Sequence, residues 1–243
     1  MARQTAISIN TIPIGPLGII GMPGCEELTD KIDKYLVKWR KTQASEHAES
    51  IAFFGYQRDT YKIDVSIPRF GSGEGKGVIN ESVRGYDIYI VCDVFNYSCS
   101  YDMYGRKVYM SPDDHFADLK RVISALCSKP KRVSVIMPML YEGRQHKRSS
   151  RESLDCAMAL KELVHLGVEN IITFDAHDQR VQNAIPDKSF ENVMPTYQMI
   201  KALVNNVEDL NVDKDHLMII SPDEGALHRC IYFATQLGVN LGM

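Results

Sequence analysis

Apolar residues in this chain fall into short strand-like runs that alternate with helical patterns. The first such unit is the run Leu17–Ile20, a loop rich in Gly and Pro, and the segment Glu26–Trp39. Four apolar residues of that segment share one helical face: Leu28, Ile32, Tyr35 and Leu36. The pattern therefore predicts a strand, a loop and a helix.

The same alternation continues toward the end of the chain. Buried strands are predicted at 86–93, 133–137, 171–174 and 217–220, and helices at 154–166, 195–204 and 225–237. A further helix between the first two strands is marked by Phe116, Leu119, Val122, Ile123 and Leu126. Strands that alternate with helices in this way are typical of an α/β fold.

The helix at 154–166 has recognisable ends and a predicted buried face. Ser153 is the expected N-cap, and Gly167 is the expected stop. The residues predicted to face the core are Ala157, Met158, Leu160 and Val164.

The remaining segments give weaker patterns. Tyr61–Ile67 alternates with period two, as a half-buried strand does, and ends at Pro68. Four glycines within 70–77 predict a loop or hairpin tip. Residues 41–60 are predicted to be a surface connection and 95–114 an insertion. The polar stretch 178–192 is interpreted as a domain junction, which gives domains at 1–192 and 193–243.

Composition and charge narrow the class of protein. The chain has 243 residues, of which 44% are apolar and 24% charged, so it can bury a core and is not a disordered chain. Its net charge of -3 carries no basic excess, so we expect neither nucleic acid nor an anionic membrane as a partner. No apolar run approaches the ~20 residues of a membrane-spanning helix.

The cysteines predict neither a zinc site nor a disulfide framework, because they are scattered without a C-x-x-C pair: Cys25, Cys92, Cys99, Cys127, Cys156 and Cys230. A cytoplasmic location is therefore expected. The residues before Cys25 loosely imitate a lipoprotein cleavage site, but Pro13 and Pro16 interrupt the apolar core that a signal peptide requires.

Candidate chemistry lies where predicted strands end, the place where open α/β sheets bind ligands. Asp175 and His177 follow the strand 171–174 and would share a face if the extended geometry continued. They would then be placed to hold a divalent cation or to contact phosphate. The alternative is an ordinary strand-to-loop transition in which Asp175 forms a turn.

A second cluster, Ser221–Gly225, follows the strand 217–220. Asp223 could reach the same metal ion, or the cluster could simply cap the next helix. The third cluster follows the strand 133–137 and places four permanent cations within eight residues, together with Gln145 and His146: Arg144, Lys147, Arg148 and Arg151. These are either a phosphate site or a solvated basic loop.

Taken together, acidic groups at two strand ends and a basic loop suit a magnesium polyphosphate, because Mg²⁺ binds a few carboxylates, phosphate oxygens and water. The Gly-rich segment Phe70–Gly77 is not a Walker A motif, since no G-K-[ST] follows its glycines. Phe70 is predicted either to lie in the core or to stack on a base.

Five motifs, in order and with matching spacing, make the chain resemble the ribose-phosphate pyrophosphokinase (phosphoribosyl pyrophosphate synthetase) family over most of 17–243. Glu81–Gly85 (ESVRG) is identical to a family motif. Phe70–Glu74 resembles F-x-[ND]-x-E with Ser72 at the Asn/Asp position, and Arg144–His146 resembles R-Q-D with His146 at the Asp position. Asp175–His177 resembles D-L-H, and Ser221–Gly225 resembles S-P-D-x-G.

The resemblance implies two phosphoribosyltransferase-type domains with parallel sheets flanked by helices, the second incomplete, and a hexamer of dimers. It implies transfer of the diphosphoryl group of Mg·ATP to the C1 hydroxyl of ribose 5-phosphate, with Mg²⁺ as cofactor. The residues that it implies for ATP are Phe70, Ser72, Glu74, Arg144, Gln145 and His177. For the metal it implies His177 and Asp223. Asp175 and His146 are further candidates for the site as a whole. Phe70 and Glu74 would hold adenine bound by a neighbouring subunit.

Two parts of the family pattern do not occur in these 243 residues: the lysine-bearing catalytic loop and the D-D-x-x-x-[TS]-G loop that holds ribose 5-phosphate. The sequence Asp113-Asp114 lacks the Thr/Gly continuation. We therefore expect the chain alone to be inactive. The alternatives are a non-catalytic subunit associated with an active synthetase and a generic Mg²⁺-nucleotide-binding module.

Overall fold

The structure is a computed structural model and describes residues 13–46 and 57–243. The chain divides into two compact units, with the boundary between Val193 and Met194. The first unit contains strands β1 (Leu17–Gly21), β2 (Val65–Ser66), β3 (Val78–Ile79), β4 (Asp87–Val91), β5 (Ser100–Met103), β6 (Arg106–Tyr109), β7 (Arg132–Met137), β8 (Asn170–Phe174) and β9 (Ser189–Val193). Its helices are α1 (Glu26–Glu46), α2 (Pro112–Ala125), α3 (Asp155–His165) and the 3₁₀ helix Gln179–Ala184.

The first unit is built on a five-stranded sheet with the order β1-β4-β7-β8-β9, and every pair is parallel. The α/β prediction with a parallel sheet flanked by helices is confirmed. β4 and β7 are buried along nearly their whole length, which explains why they read as continuous apolar runs.

The segment Tyr61–Ile63 adds a short parallel edge beside β1. The Ile19 amide donates to the Tyr61 carbonyl, and the Ile63 amide donates to the Ile19 carbonyl, both at 2.8 Å. The predicted strand over Tyr61–Ile67 is therefore divided between this bridge and β2. After β1 the chain first adds Tyr61–Ile63 on one side of β1 and then adds β4 on the other side. The strand order therefore reverses between β1 and β4.

Helices cover both faces of the sheet. Alternate residues of β1 point to opposite sides, so that Ile19 packs toward Ile32 and Leu36 of α1. Ile20 joins the larger core on the other face, which holds the apolar residues of α2 and α3. The predicted helix from Glu26 extends seven residues beyond its expected end at Trp39.

Two hairpins project from this framework. The antiparallel pair β2–β3 carries the Gly-rich turn between its strands, as predicted. β5 and β6 form a second antiparallel hairpin inside the segment that was predicted to be an insertion. This second hairpin is closed at its base, where the Met110 amide donates to the Cys99 carbonyl at 2.9 Å.

α3 differs from its prediction in its cap and in its buried face. Leu154, not Ser153, occupies the N-cap position, and no side chain caps the helix. The buried residues are Cys156, Ala159, Leu160 and Leu163, whereas Met158 is 56% exposed. Of the four residues predicted to face the core, only Leu160 is buried. The buried face of α3 is therefore rotated slightly from the predicted one.

The polar stretch 178–192 is structured. It contains the 3₁₀ helix and most of β9, whose alternating residues Ser189–Val193 pair in parallel with β8. β9 was not predicted, because a mainly polar edge strand lacks the continuous apolar run by which the other strands were found. The interpretation of 178–192 as a junction between domains stays a prediction.

The second unit contains α4 (Thr196–Asn206), β10 (Met218–Ile220), α5 (Leu227–Leu237) and β11 (Asn240–Gly242). β10 and β11 pair in parallel, and α5 connects them. Gly238 ends α5 with a left-handed φ of 69°. Across the described residues, none of the helices combines the length and apolarity needed to cross a membrane.

The buried face of α3 gives a first prediction. Leu163→Ala should lower the free energy of unfolding by about 2–5 kcal/mol, because Leu163 is fully buried. Met158→Ala should change it by less than about 0.5 kcal/mol, since that side chain lies mainly in solvent. Urea denaturation of both variants measures the difference, and equal losses would contradict the observed orientation of α3.

Candidate phosphate and nucleotide site

The carboxyl ends of β7 and β8 bring two of the predicted clusters together. Met137 lies opposite Thr173 in the parallel register, so the loops that follow both strands leave from one edge of the sheet. The rings of His146 and His177 are 5.1 Å apart at 61°. The basic loop and the segment Asp175–His177 therefore lie next to each other, in contact through these two histidines.

The basic loop after β7 is anchored at its start. The ring of Tyr141 stacks on Phe116 of α2, with centroids 4.3 Å apart. Its hydroxyl donates to Asp113 at 2.6 Å, and burial together with this bond raises the pKa of Tyr141. The loop therefore leaves the sheet from a fixed point only three residues before Arg144.

Gln145 and His146 hold the interior of the loop. The Gln145 side-chain amide donates to the Ser153 carbonyl at 2.8 Å. The His146 ring lies with Nδ1 3.1 Å from the Arg144 carbonyl and Nε2 3.4 Å from Asp178. Both side chains are thus engaged in shaping the loop.

The four cations of the loop point into solvent. Arg144, Lys147, Arg148 and Arg151 are exposed, and none of them forms an ion pair with any residue in the described part of the chain. Four unneutralised charges within eight residues repel one another. An anion bound here would relieve that repulsion, and guanidinium groups suit phosphate oxygens.

Asp178 was missed by the sequence analysis as a member of this site. Its carboxylate caps the 3₁₀ helix by accepting from the Arg180 amide at 2.9 Å and also binds the Arg180 guanidinium. These bonds, with a smaller contribution from His146, hold the pKa of Asp178 far below its usual range. Its position next to His177 was visible in the sequence, but its contact with a loop 32 residues earlier was not.

The condition under which Asp175 and His177 would share a face is not met, and the alternative of a strand-to-loop transition with a turn at Asp175 describes the backbone. β8 ends at Phe174, and Asp175 has a left-handed φ of 44°. The extended backbone on which that expectation depended therefore stops before either residue. His177 is exposed and Asp175 is partly buried.

A metal ion at this edge would have few protein ligands. Within the described residues, no three His, Cys, Asp or Glu side chains are close enough to bind a metal ion together. Asp175 and His177 are the carboxylate and the imidazole that directly follow β8. This donor set fits Mg²⁺ held mainly by phosphate oxygens and water.

Asp223 lies in the second unit, in the turn after β10. Its Oδ1 accepts from the Ala226 amide at 2.8 Å, and its carbonyl accepts from the Ser221 hydroxyl at 2.7 Å. The carboxylate thus stabilises the turn that leads into α5. The side chain is exposed.

The Phe70–Glu74 turn lies at the tip of the β2–β3 hairpin. The Phe70 amide donates to the Glu74 carbonyl and the Gly73 amide to the Phe70 carbonyl, each at 2.8 Å. Ser72 donates to the Glu74 carboxylate at 2.8 Å. Phe70 is 58% exposed, so it is not a core residue and presents an open aromatic face.

The loops after β1 and β4, at the reversal of strand order, contact each other. Asn96 donates through Nδ2 to the Gly24 carbonyl at 3.0 Å and bridges the loops after β1 and β4. A Cβ on Gly24 would lie 2.5 Å from that Nδ2 atom.

The structure described so far is that of a parallel α/β protein with an exposed basic loop next to two histidine rings. The family model for the N-terminal domain of ribose phosphate pyrophosphokinase matches residues 17–167. The chain belongs to this family.

Curated relatives agree with that assignment. The chain is 25% identical over 185 residues to a ribose-phosphate pyrophosphokinase of Aquifex aeolicus, covering 74% of this chain and 52% of the relative. It is 29% identical over 182 residues to the Helicobacter pylori enzyme of that name, covering 72% and 49%. The chain thus spans about half the length of the curated relatives that it matches.

A solved structure shares the fold. The phosphoribosylpyrophosphate synthetase from Mycobacterium smegmatis matches with a TM-score of 0.68 at 20% identity, over 93% of this chain and 62% of the other. The resemblance to this family that five motifs indicated is confirmed.

The charge of Asp178 gives a second prediction. Because folding lowers its pKa, its charge stabilises the fold fully above the unfolded pKa of about 4. This stabilisation is lost progressively as pH falls from there through the much lower folded pKa. Asp178→Asn keeps a capping oxygen and should cost up to about 1 kcal/mol from roughly pH 5 to 7.

Below about pH 4 the difference between Asp178→Asn and the wild type should narrow. Urea unfolding across this pH range measures it, with the exposed Asp187→Asn as control. A loss of the same size at about pH 3 and pH 7 would show that altered packing, not charge, is responsible.

Proposed function

We propose that this chain forms the ATP-binding part of a ribose-phosphate diphosphokinase. The reaction transfers the diphosphoryl group of Mg·ATP to the C1 hydroxyl of ribose 5-phosphate, giving phosphoribosyl pyrophosphate and AMP. The observation that carries the proposal is the run of four exposed cations without ion-pair partners in the described chain, next to the His146–His177 pair. Family membership supports the reaction class.

The proposed roles follow the position of each group. Arg144 binds the ATP phosphates, while Gln145, whose amide is tied to Ser153, holds the backbone at that position. His177 and Asp175 lie at the same sheet edge, where phosphate-bound Mg²⁺ would sit, and His146 orients His177. Phe70, with Ser72 and Glu74, binds adenine. Asp223 is proposed as a further metal contact.

The domain assignment is likewise a proposal. Residues 1–192 would form the N-terminal phosphoribosyltransferase-like domain, and 193–243 the start of a C-terminal one. The boundary between the compact units at Val193 and Met194 supports it. We also propose a cytoplasmic location, in keeping with six free cysteines among the described residues.

Binding of Mg·ATP tests the phosphate site. Arg144→Ala should weaken binding roughly ten- to hundredfold, because a charge-assisted contact contributes about 1.5–3 kcal/mol. Lys161→Ala, which removes an exposed cation from α3, should leave the affinity unchanged. Isothermal titration calorimetry measures both affinities. Equal affinities for the two variants would indicate that the basic loop is a solvated surface loop and not a phosphate site.

Assembly provides a further test. If Phe70 and Glu74 complete the adenine site of a neighbouring subunit, Mg·ATP should stabilise a homo-oligomer, because a ligand that binds only the assembled form favours it. Sedimentation velocity with and without Mg·ATP measures this shift, with Phe70→Ala as the matched variant. A monomer that binds ATP at full strength would contradict the shared site.

For the 243-residue chain alone we expect no phosphoribosyl pyrophosphate. The D-D-x-x-x-[TS]-G pattern is absent from these residues, so nothing comparable would hold the acceptor in line, and positioning is most of what such enzymes supply. The assay is AMP release that depends on ribose 5-phosphate. Turnover near an ordinary ~10 s⁻¹ would contradict this expectation.

Two other outcomes would point to the alternative functions. ATP binding without turnover, together with altered activity of an added synthetase, would indicate a regulatory subunit. ATP binding with neither effect would indicate a nucleotide-binding module.

A further inference from the structure

The Phe70–Glu74 turn is tied to the rest of the first unit by the side chain of Arg69. This guanidinium donates through Nη1 to the Gly73 carbonyl at 3.2 Å, inside the turn itself. Through Nη2 it binds Asp118 of α2 at 2.5 Å. Only 12% of the Arg69 side chain and 2% of the Asp118 side chain are exposed, so this contact is shielded from solvent.

The face of the same guanidinium is covered by the β5–β6 hairpin. The ring centroid of Tyr101 lies 4.4 Å from the Arg69 Cζ atom, a cation–π contact. The Arg69 guanidinium therefore contacts three elements: the Phe70–Glu74 turn, α2 and the β5–β6 hairpin.

The β5–β6 hairpin also touches the turn directly. The backbone amide of Tyr104 donates to the Gly71 carbonyl at 3.0 Å. A Cβ placed on Gly73 would lie 2.9 Å from the Met103 sulfur and 3.2 Å from the Tyr101 ring, so the turn and the hairpin are in close contact at that point.

The backbone at the hairpin tip is held in a costly conformation. Tyr104 has a left-handed φ of 49°, which is unusual for an aromatic residue. Tyr104 and Gly105 are the two central residues between β5 and β6, and a common two-residue hairpin turn requires positive φ at both positions. The tight turn at Tyr104 and Gly105 is what brings the Tyr104 amide to Gly71.

We infer that the β5–β6 hairpin and Arg69 are positioning elements that hold the Phe70–Glu74 turn in the conformation that recognises a nucleobase. This rests on the proposed function, in which the turn binds adenine, and extends it to residues outside the binding motif. The hairpin is placed to control discrimination for the base, whereas the basic loop after β7 controls affinity for the phosphates.

Tyr101 offers the cleanest test of this inference. Tyr101→Ala removes the ring over Arg69, and Tyr101→Phe keeps the ring while losing only a long 3.4 Å bond to Asp114. Arg69→Lys keeps the charge but loses the planar face and the paired donors. Asp118→Asn is less suitable alone, because it would leave a buried guanidinium without its counter-charge.

The first measurement is hydrogen exchange of the Gly73 and Tyr104 amides. Tyr101→Ala should raise both exchange rates at least tenfold, with no change for amides of β7, and Tyr101→Phe should match the wild type. Unchanged exchange in Tyr101→Ala overturns the inference, because the turn would then be held without the hairpin.

The second measurement compares the affinity for Mg·ATP with that for Mg·tripolyphosphate, which lacks the base. Tyr101→Ala and Arg69→Lys should lower the ATP preference at least fivefold while tripolyphosphate binds as before. Faster exchange with an unchanged preference overturns the nucleobase role.

A wild-type chain that binds neither ligand contradicts the proposed function and, with it, the nucleobase role. The exchange rates then still decide whether the hairpin holds the turn.

Discussion

The parallel pairing of β7 with β8 is the constraint on which the candidate site depends. Because Met137 and Thr173 are opposite each other, two loops that are far apart in sequence leave the sheet side by side. His146 meets His177 and Asp178 only for this reason. The stacking of Tyr141 on Phe116 then fixes where the basic loop begins. The pairing of β7 with β8 and the stacking of Tyr141 on Phe116 thus place the polar groups at this edge of the sheet.

Much of the fold could be predicted from the sequence because buried parallel strands are continuous apolar runs. Asp87–Val91 and Arg132–Met137 were found in this way. β9 was missed because Ser189–Val193 is an alternating edge strand with polar residues. The face of α3 was misplaced because Met158 is apolar and yet exposed, and hydrophobicity alone does not distinguish a core methionine from a surface one.

The candidate site was predictable as a set of residues but not as an arrangement. Strand-end position and charge density made Arg144 and His177 candidates. The role of Asp178, the left-handed backbone of Asp175 and the engagement of Gln145 by Ser153 depend on loop conformation, for which periodicity carries no information. The partners of Arg69 were equally hidden, because Tyr101 and Asp118 come from separate elements and neither belongs to a motif.

The closed base of the β5–β6 hairpin determines where the hairpin tolerates changes. Since Cys99 and Met110 are joined by a backbone hydrogen bond, the chain leaves and re-enters the domain at one point, directly before the Ser111 cap of α2. Segments with adjacent ends tolerate changes in length and sequence. Changes at the Tyr104–Gly105 tip can therefore be accommodated without moving the two ends of the hairpin, whereas a change at Tyr101 would reach Arg69 and, through it, α2.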